Sequence, residues 1–185
     1  MKRALVLSVL IAVAVSIVAQ PLERAGWITI GISPSFLIEP YDEHANTVEV
    51  NVLPLTVEVG LSDAWAIEFR PIINLRFKPD EPVSISHLGM SVVAPRYLGL
   101  PWWQESGIEG ILAPVVTWTY NLQDLTTTLT LAGEAGASIP FSEPWILDTQ
   151  FQFGTTLFWE TGGDFSQAVP HIGLFVIPGV RVFEM

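Results

Sequence analysis

Apolar and polar residues alternate along most of this chain, most regularly between Trp65 and Lys78. Trp65, Ile67, Phe69, Ile73, Leu75 and Phe77 hold odd positions there, while Glu68, Arg70, Asn74, Arg76 and Lys78 hold even ones. A period of two places the two groups on opposite faces of a strand. The turn Gly60-Leu61-Ser62-Asp63 joins this run to residues 48–61, whose apolar phase is even at Val48, Val50 and Val52 and odd at Leu55, Val57 and Val59. A one-residue slip near Pro54, a β-bulge, reconciles the halves.

The same pattern predicts eight strands in all. Residues 27–38 set Ile28, Ile30 and Ile32 against Thr29, Gly31 and Ser33, and an acidic loop follows. Beyond Pro79-Asp80-Glu81-Pro82, Leu88, Met90 and Val92 oppose His87, Gly89 and Ser91, and residues 98–107 read as a turn with an aromatic rim. Residues 110–122, 126–139 and 145–160 alternate in turn, the last opposing Phe151 and Phe153 to Gln150 and Gln152. The final strand runs from about residue 169 to 183. Pro34, Pro54, Pro71, Pro95, Pro114 and Pro178 fall within strands, where each removes a ladder donor; bulges are the expected sites, with Pro54 and Pro71 opposite each other.

The charges sort with the pattern. Glu49, Glu58, Glu68, Arg70, Arg76, Lys78, Glu109, Glu134, Asp148, Glu160 and Arg181 all take the polar phase. Arg96 takes the apolar phase, at a strand end where a long side chain reaches a headgroup. An Arg or Lys facing hydrocarbon at mid-membrane costs roughly 2–4 kcal/mol, so this sorting is expected of strands whose apolar face meets lipid. A soluble lipocalin-like carrier of an apolar ligand would sort its charges too, with the apolar face inward. Aromatic placement separates the two: Trp27, Trp65, Trp102, Trp103 and Trp145 gather near one set of turns, and Trp118, Tyr120 and Trp159 near the other. Two such girdles are what membrane interfaces select.

Lys2, Arg3 and the apolar run that ends at Ala19 have the form of a cleavable signal peptide, residues 1–19, too short for a spanning helix. Residues 20–185 then form a single domain. Removing the leader leaves six basic against 19 acidic residues, a net charge of −13, which repels nucleic acid. The chain has no cysteine, so no disulfide framework is available. With no long apolar helix after residue 20, insertion requires a closed barrel of strands.

The strand pattern, with Gly60-Leu61-Ser62-Asp63-Ala64-Trp65-Ala66-Ile67 as its most recognisable piece, resembles the small eight-stranded outer-membrane barrels of the OmpA transmembrane-domain and OmpX kind. The resemblance implies an all-β, antiparallel, up-and-down transmembrane barrel in the outer membrane of a diderm bacterium. It implies lipids and the barrel-assembly machinery as partners. The N-terminus and the turns after the second, fourth and sixth strands would be periplasmic, with loops near Tyr41, Pro79, Gln123 and Gly163 outside.

A barrel of this width is filled by side chains, so its inward charges need partners. Asp148 is expected opposite Arg181, across a hairpin about residues 161–168. Arg70 and Arg76 are expected against Glu58, Glu68, Glu109 or Glu134. The function this predicts is a structural or interaction role without an open pore. The alternative is a lipid-modifying barrel enzyme using a rim histidine, with His87, His171, Ser86, Ser91 and Glu160 as candidates for acyl transfer. No cofactor or metal motif is present in the sequence.

Overall fold

The computed structural model describes residues 24–34, 36–38, 48–78, 81–99, 103, 106–160 and 163–184. The leader and Trp102 lie outside these, as do the loop residues Tyr41 and Pro79. Among the described residues the chain forms eleven strands: β1 Trp27–Ile32, β2 Phe36–Ile38, β3 Val48–Asn51, β4 Leu55–Gly60, β5 Ala66–Phe77, β6 Ser84–Val93, β7 Arg96–Gly99, β8 Glu109–Asn121, β9 Thr127–Ser142, β10 Trp145–Trp159 and β11 Phe165–Glu184. Three breaks, between β1 and β2, β3 and β4, and β6 and β7, divide what are otherwise continuous staves. Pro34, Pro54 and Pro95 lie at them.

Joined across these breaks, the strands make eight antiparallel staves, each paired with the next in sequence. β1 closes the ring against β11, with Trp27 opposite Glu184 and Gly31 opposite Gly179. This is an up-and-down β-barrel of eight strands.

Which side faces in is settled by burial. Phe69, Phe151 and Phe153 are 39%, 47% and 56% exposed, whereas Glu68 and Gln150 are 4% and 1% exposed. The apolar phase points outward and the polar phase lines the lumen, the reverse of a soluble carrier's arrangement.

The break between β3 and β4 shows how Pro54 is accommodated, while Pro71, Pro114 and Pro178 sit in strands whose register runs on without a shift at them. Asn51 faces Asn74, and a continuous register would set Val57 opposite Glu68; it faces Phe69 instead, so one residue is gained in between. The Asn51 side chain fills the gap. Its Oδ1 accepts from the Leu53 and Ile73 amides at 3.0 and 3.1 Å, and its Nδ2 donates to the Pro71 carbonyl at 3.3 Å. Proline keeps its acceptor, and the other breaks use it: the Pro54 carbonyl takes the Ser33 amide, and that of Pro95 takes Ala66.

Two boundaries differ from the sequence pattern. Residues 96–99, partly assigned to a turn, form β7 and pair with β8, because a four-residue alternation between prolines is too short to read as a strand. β11 begins at Phe165, four residues before the predicted start, and lengthens the β10–β11 hairpin accordingly.

Candidate functional site

Among the described residues, three arginine-centred clusters cross the lumen, stacked from one end to the other. Arg24, just before β1, anchors the first. Its Nε donates to Glu109 Oε2 at 2.9 Å, its Nη2 donates to the same carboxylate, and its Nη1 reaches Glu58 Oε1 at 3.5 Å. The guanidinium lies 3.4 Å from the Tyr97 ring centroid, and the Tyr97 hydroxyl donates to Glu58. The chain can enter here because Gly60 has no side chain: a Cβ at that position would sit 2.0 Å from the Arg24 carbonyl oxygen.

Arg70, on β5, holds the middle cluster. It forks onto Glu68 at 2.8 and 3.0 Å and onto Glu134 of β9 at 2.6 and 3.1 Å, and donates to Gln150 of β10 at 2.6 Å. Gln152 adds a 2.9 Å bond to Glu134. Paired forks of this kind are the strongest geometry open to a carboxylate and a guanidinium.

The third cluster lies towards the opposite rim. Arg76 Nε donates to Glu49 Oε1 at 2.9 Å, and Arg76 also donates to Gln123. The second Glu49 oxygen is 2.9 Å from His87 Nδ1, which is also 3.2 Å from Ser86 Oγ. A register shift between Asn74 and Leu75 lets successive residues Ser86 and His87 both reach inward. Next to this cluster a polar recess of about 240 Å³ opens among His87, Asp124, Thr128, Trp159 and Glu160.

Of the interior residues expected from sequence, Glu68, Arg70 and Glu134 meet in one cluster, and Glu58 and Glu109 in another. Arg76 meets Glu49 rather than the four acids named for it. Asp148 and Arg181 are not opposite each other. Asp148 faces Ile177 on one side and Ser138 on the other, and the Arg181 guanidinium lies 5.9 Å from the Trp27 ring. The early start of β11 is the cause, since it slides Arg181 beyond the end of β10. Arg24 escaped the sequence reading because no alternation precedes β1; the signal was an excess of inward acids over inward cations.

Of the catalytic candidates, Ser86 and His87 meet in the third cluster and Glu160 lines the recess beside them, while Ser91 and His171 have other partners. Ser91 accepts a 2.7 Å bond from Thr117, and His171 Nε2 contacts Gln152. Glu160 is exposed in the β10–β11 turn, and Glu49 and Ser86 both meet Nδ1 of His87. Among the described residues no group of three or more His, Asp or Glu is placed to hold a metal ion.

The aromatics form two bands. Trp27, Trp65, Trp103 and Trp145 lie at the Arg24 end, and Trp118, Tyr120 and Trp159 lie towards the Arg76 end.

No family model matches this sequence, and no curated protein matches it. Among solved structures the chain is similar to the outer membrane protein OprG from Pseudomonas aeruginosa. The TM-score is 0.50 at 12% identity, over 89% of this chain and 99% of that one. At that identity the likeness concerns the fold. This chain has the fold of a small outer-membrane β-barrel.

Proposed function

We propose that this protein is exported by way of a cleaved leader, residues 1–19, and that residues 20–185 span the outer membrane of a diderm bacterium as one closed barrel. Its role there is structural or interactive, with lipids around it and the barrel-assembly machinery as the agent of its insertion. The observation that carries this reading is the inversion of the two faces. Buried carboxylates and arginines fill the lumen while Phe153, Ile172 and Leu174 stand exposed outside. In water such an outer wall would far exceed the few hundred Å² of apolar patch that a soluble monomer tolerates. In lipid it is the expected surface.

The clusters support a lumen without an open path. Arg24 and Arg70 tie together staves from different sides of the ring, and an eight-stranded lumen has room for little more than its own side chains. Membrane fractionation with heat-modifiable gel migration tests the proposal. The protein is expected in the outer-membrane fraction, with unboiled samples migrating differently from boiled ones. Recovery in the soluble periplasmic fraction without detergent would refute it. In planar bilayers the purified protein is expected to leave conductance at baseline.

A further inference from the structure

The outer wall carries a groove of about 460 Å³ between Trp65 and Phe153, lined also by Leu112, Pro114, Gly133 and Ala135. It crosses the sheet: Arg96 pairs with Leu112, Pro114 with Gly133, and Gly133 with Phe153. Adjacent strands lie about 4.8 Å apart, so three steps from β7 to β10 span roughly 14 Å. The space is unfilled, because a Cβ on Gly133 would meet nothing nearer than the Phe153 ring at 3.8 Å.

One end of this apolar groove is charged. Arg96 lines it, with its guanidinium 5.3 Å from the Trp65 ring, and its buried Nε has no hydrogen-bond partner. Arg24, Arg70 and Arg76 are turned into the lumen against carboxylates. Arg96 alone among the described arginines lies on the apolar phase, and no described carboxylate pairs with it. A cation at an aromatic rim, continuous with an apolar trough, complements a molecule with an anionic head and a hydrocarbon tail.

We propose that this groove holds one anionic phospholipid, its phosphate against Arg96 and an acyl chain laid across Pro114 and Gly133 towards Phe153. The proposal rests on the outer-membrane reading above. A phosphate without an ammonium of its own is favoured, because a zwitterionic headgroup already carries the cation that Arg96 would supply. General attraction cannot produce the same preference, since the chain is strongly acidic overall.

The test uses purified, folded protein in detergent, offered equal amounts of phosphatidylglycerol and phosphatidylcholine and examined by native mass spectrometry. One phosphatidylglycerol is expected to be retained in preference. Arg96→Gln is expected to reduce the preference about tenfold, as the loss of one charge-assisted contact implies, and Arg96→Lys to restore part of it. Gly133→Leu, which fills the trough and leaves Arg96 in place, is expected to reduce retention of both lipids. Equal retention of the two lipids by the unaltered protein, an Arg96→Gln preference that does not change, or a lipid-free dimer would overturn the proposal. A protein that shows heat-modifiable migration and enters vesicles without preferring phosphatidylglycerol sinks the lipid site alone. One that fails to enter vesicles sinks the membrane reading.

Discussion

The two halves of the lumen are held by different chemistry. Towards the Arg24 end the staves are tied by charge, with Arg24 and Arg70 each bridging two carboxylates and Tyr97 packed beneath the first. Towards the other end the Arg76 cluster ties β3, β5 and β6, but the wall of β8 to β10 is a ladder of hydroxyls. Thr119 meets Thr128 at 2.6 Å, and Thr130 meets Thr156 at 2.7 Å. Ion pairs reach across the lumen, whereas hydroxyl pairs reach only to the neighbouring strand. The Arg24 end is therefore braced through its centre, whereas at the other end the wall of β8 to β10, where the polar recess opens, is tied by its hydroxyls only around the circumference.

The contrast predicts a graded response to substitution. Arg70→Ala strands Glu68 and Glu134 without their cation, so a loss of about 3–5 kcal/mol is expected in urea titrations of the vesicle-inserted protein. Replacing the cluster together, as Arg70→Met with Glu68→Gln and Glu134→Gln, should recover much of it. Phe153→Arg puts a charge on the outer wall, and the same titration should show a loss of about 2–4 kcal/mol if that wall faces hydrocarbon; an unchanged midpoint would mean that it does not. Thr130→Val leaves the Thr156 hydroxyl short of a partner, and a loss of about 1 kcal/mol is expected. Lys78→Ala, which breaks a 3.4 Å pair with the exposed Glu81, should shift the midpoint by under about 1 kcal/mol. A Thr130→Val loss as large as that of Arg70→Ala would erase the distinction between the halves.

The strands and their facing were legible because a period of two carries both at once: Phe69 and Glu68 could not exchange sides without inverting every residue of β5. Pairing across a hairpin was less legible. The partner of Asp148 depends on where β11 starts, and residues 165–168 carry no clear alternation to mark it. Arg76 illustrates a second limit, since it and Glu49 share a face whose members could meet several partners in a narrow lumen. The role of Asn51 is a third: an amide that replaces missing backbone rungs looks, in sequence, like any other polar strand residue. The bulge it fills was legible from the phase change at Pro54.

Closure of the ring by β1 and β11 sets the timing of assembly. Each of the other contacts joins neighbours along the chain and can zip as a hairpin while the polypeptide is still arriving. The last joins Trp27 to Glu184, from opposite ends of the described chain, and until it forms there is no inside. The described guanidiniums of the lumen are thus expected to stay hydrated until the two terminal staves find each other, and to be dried in one late event.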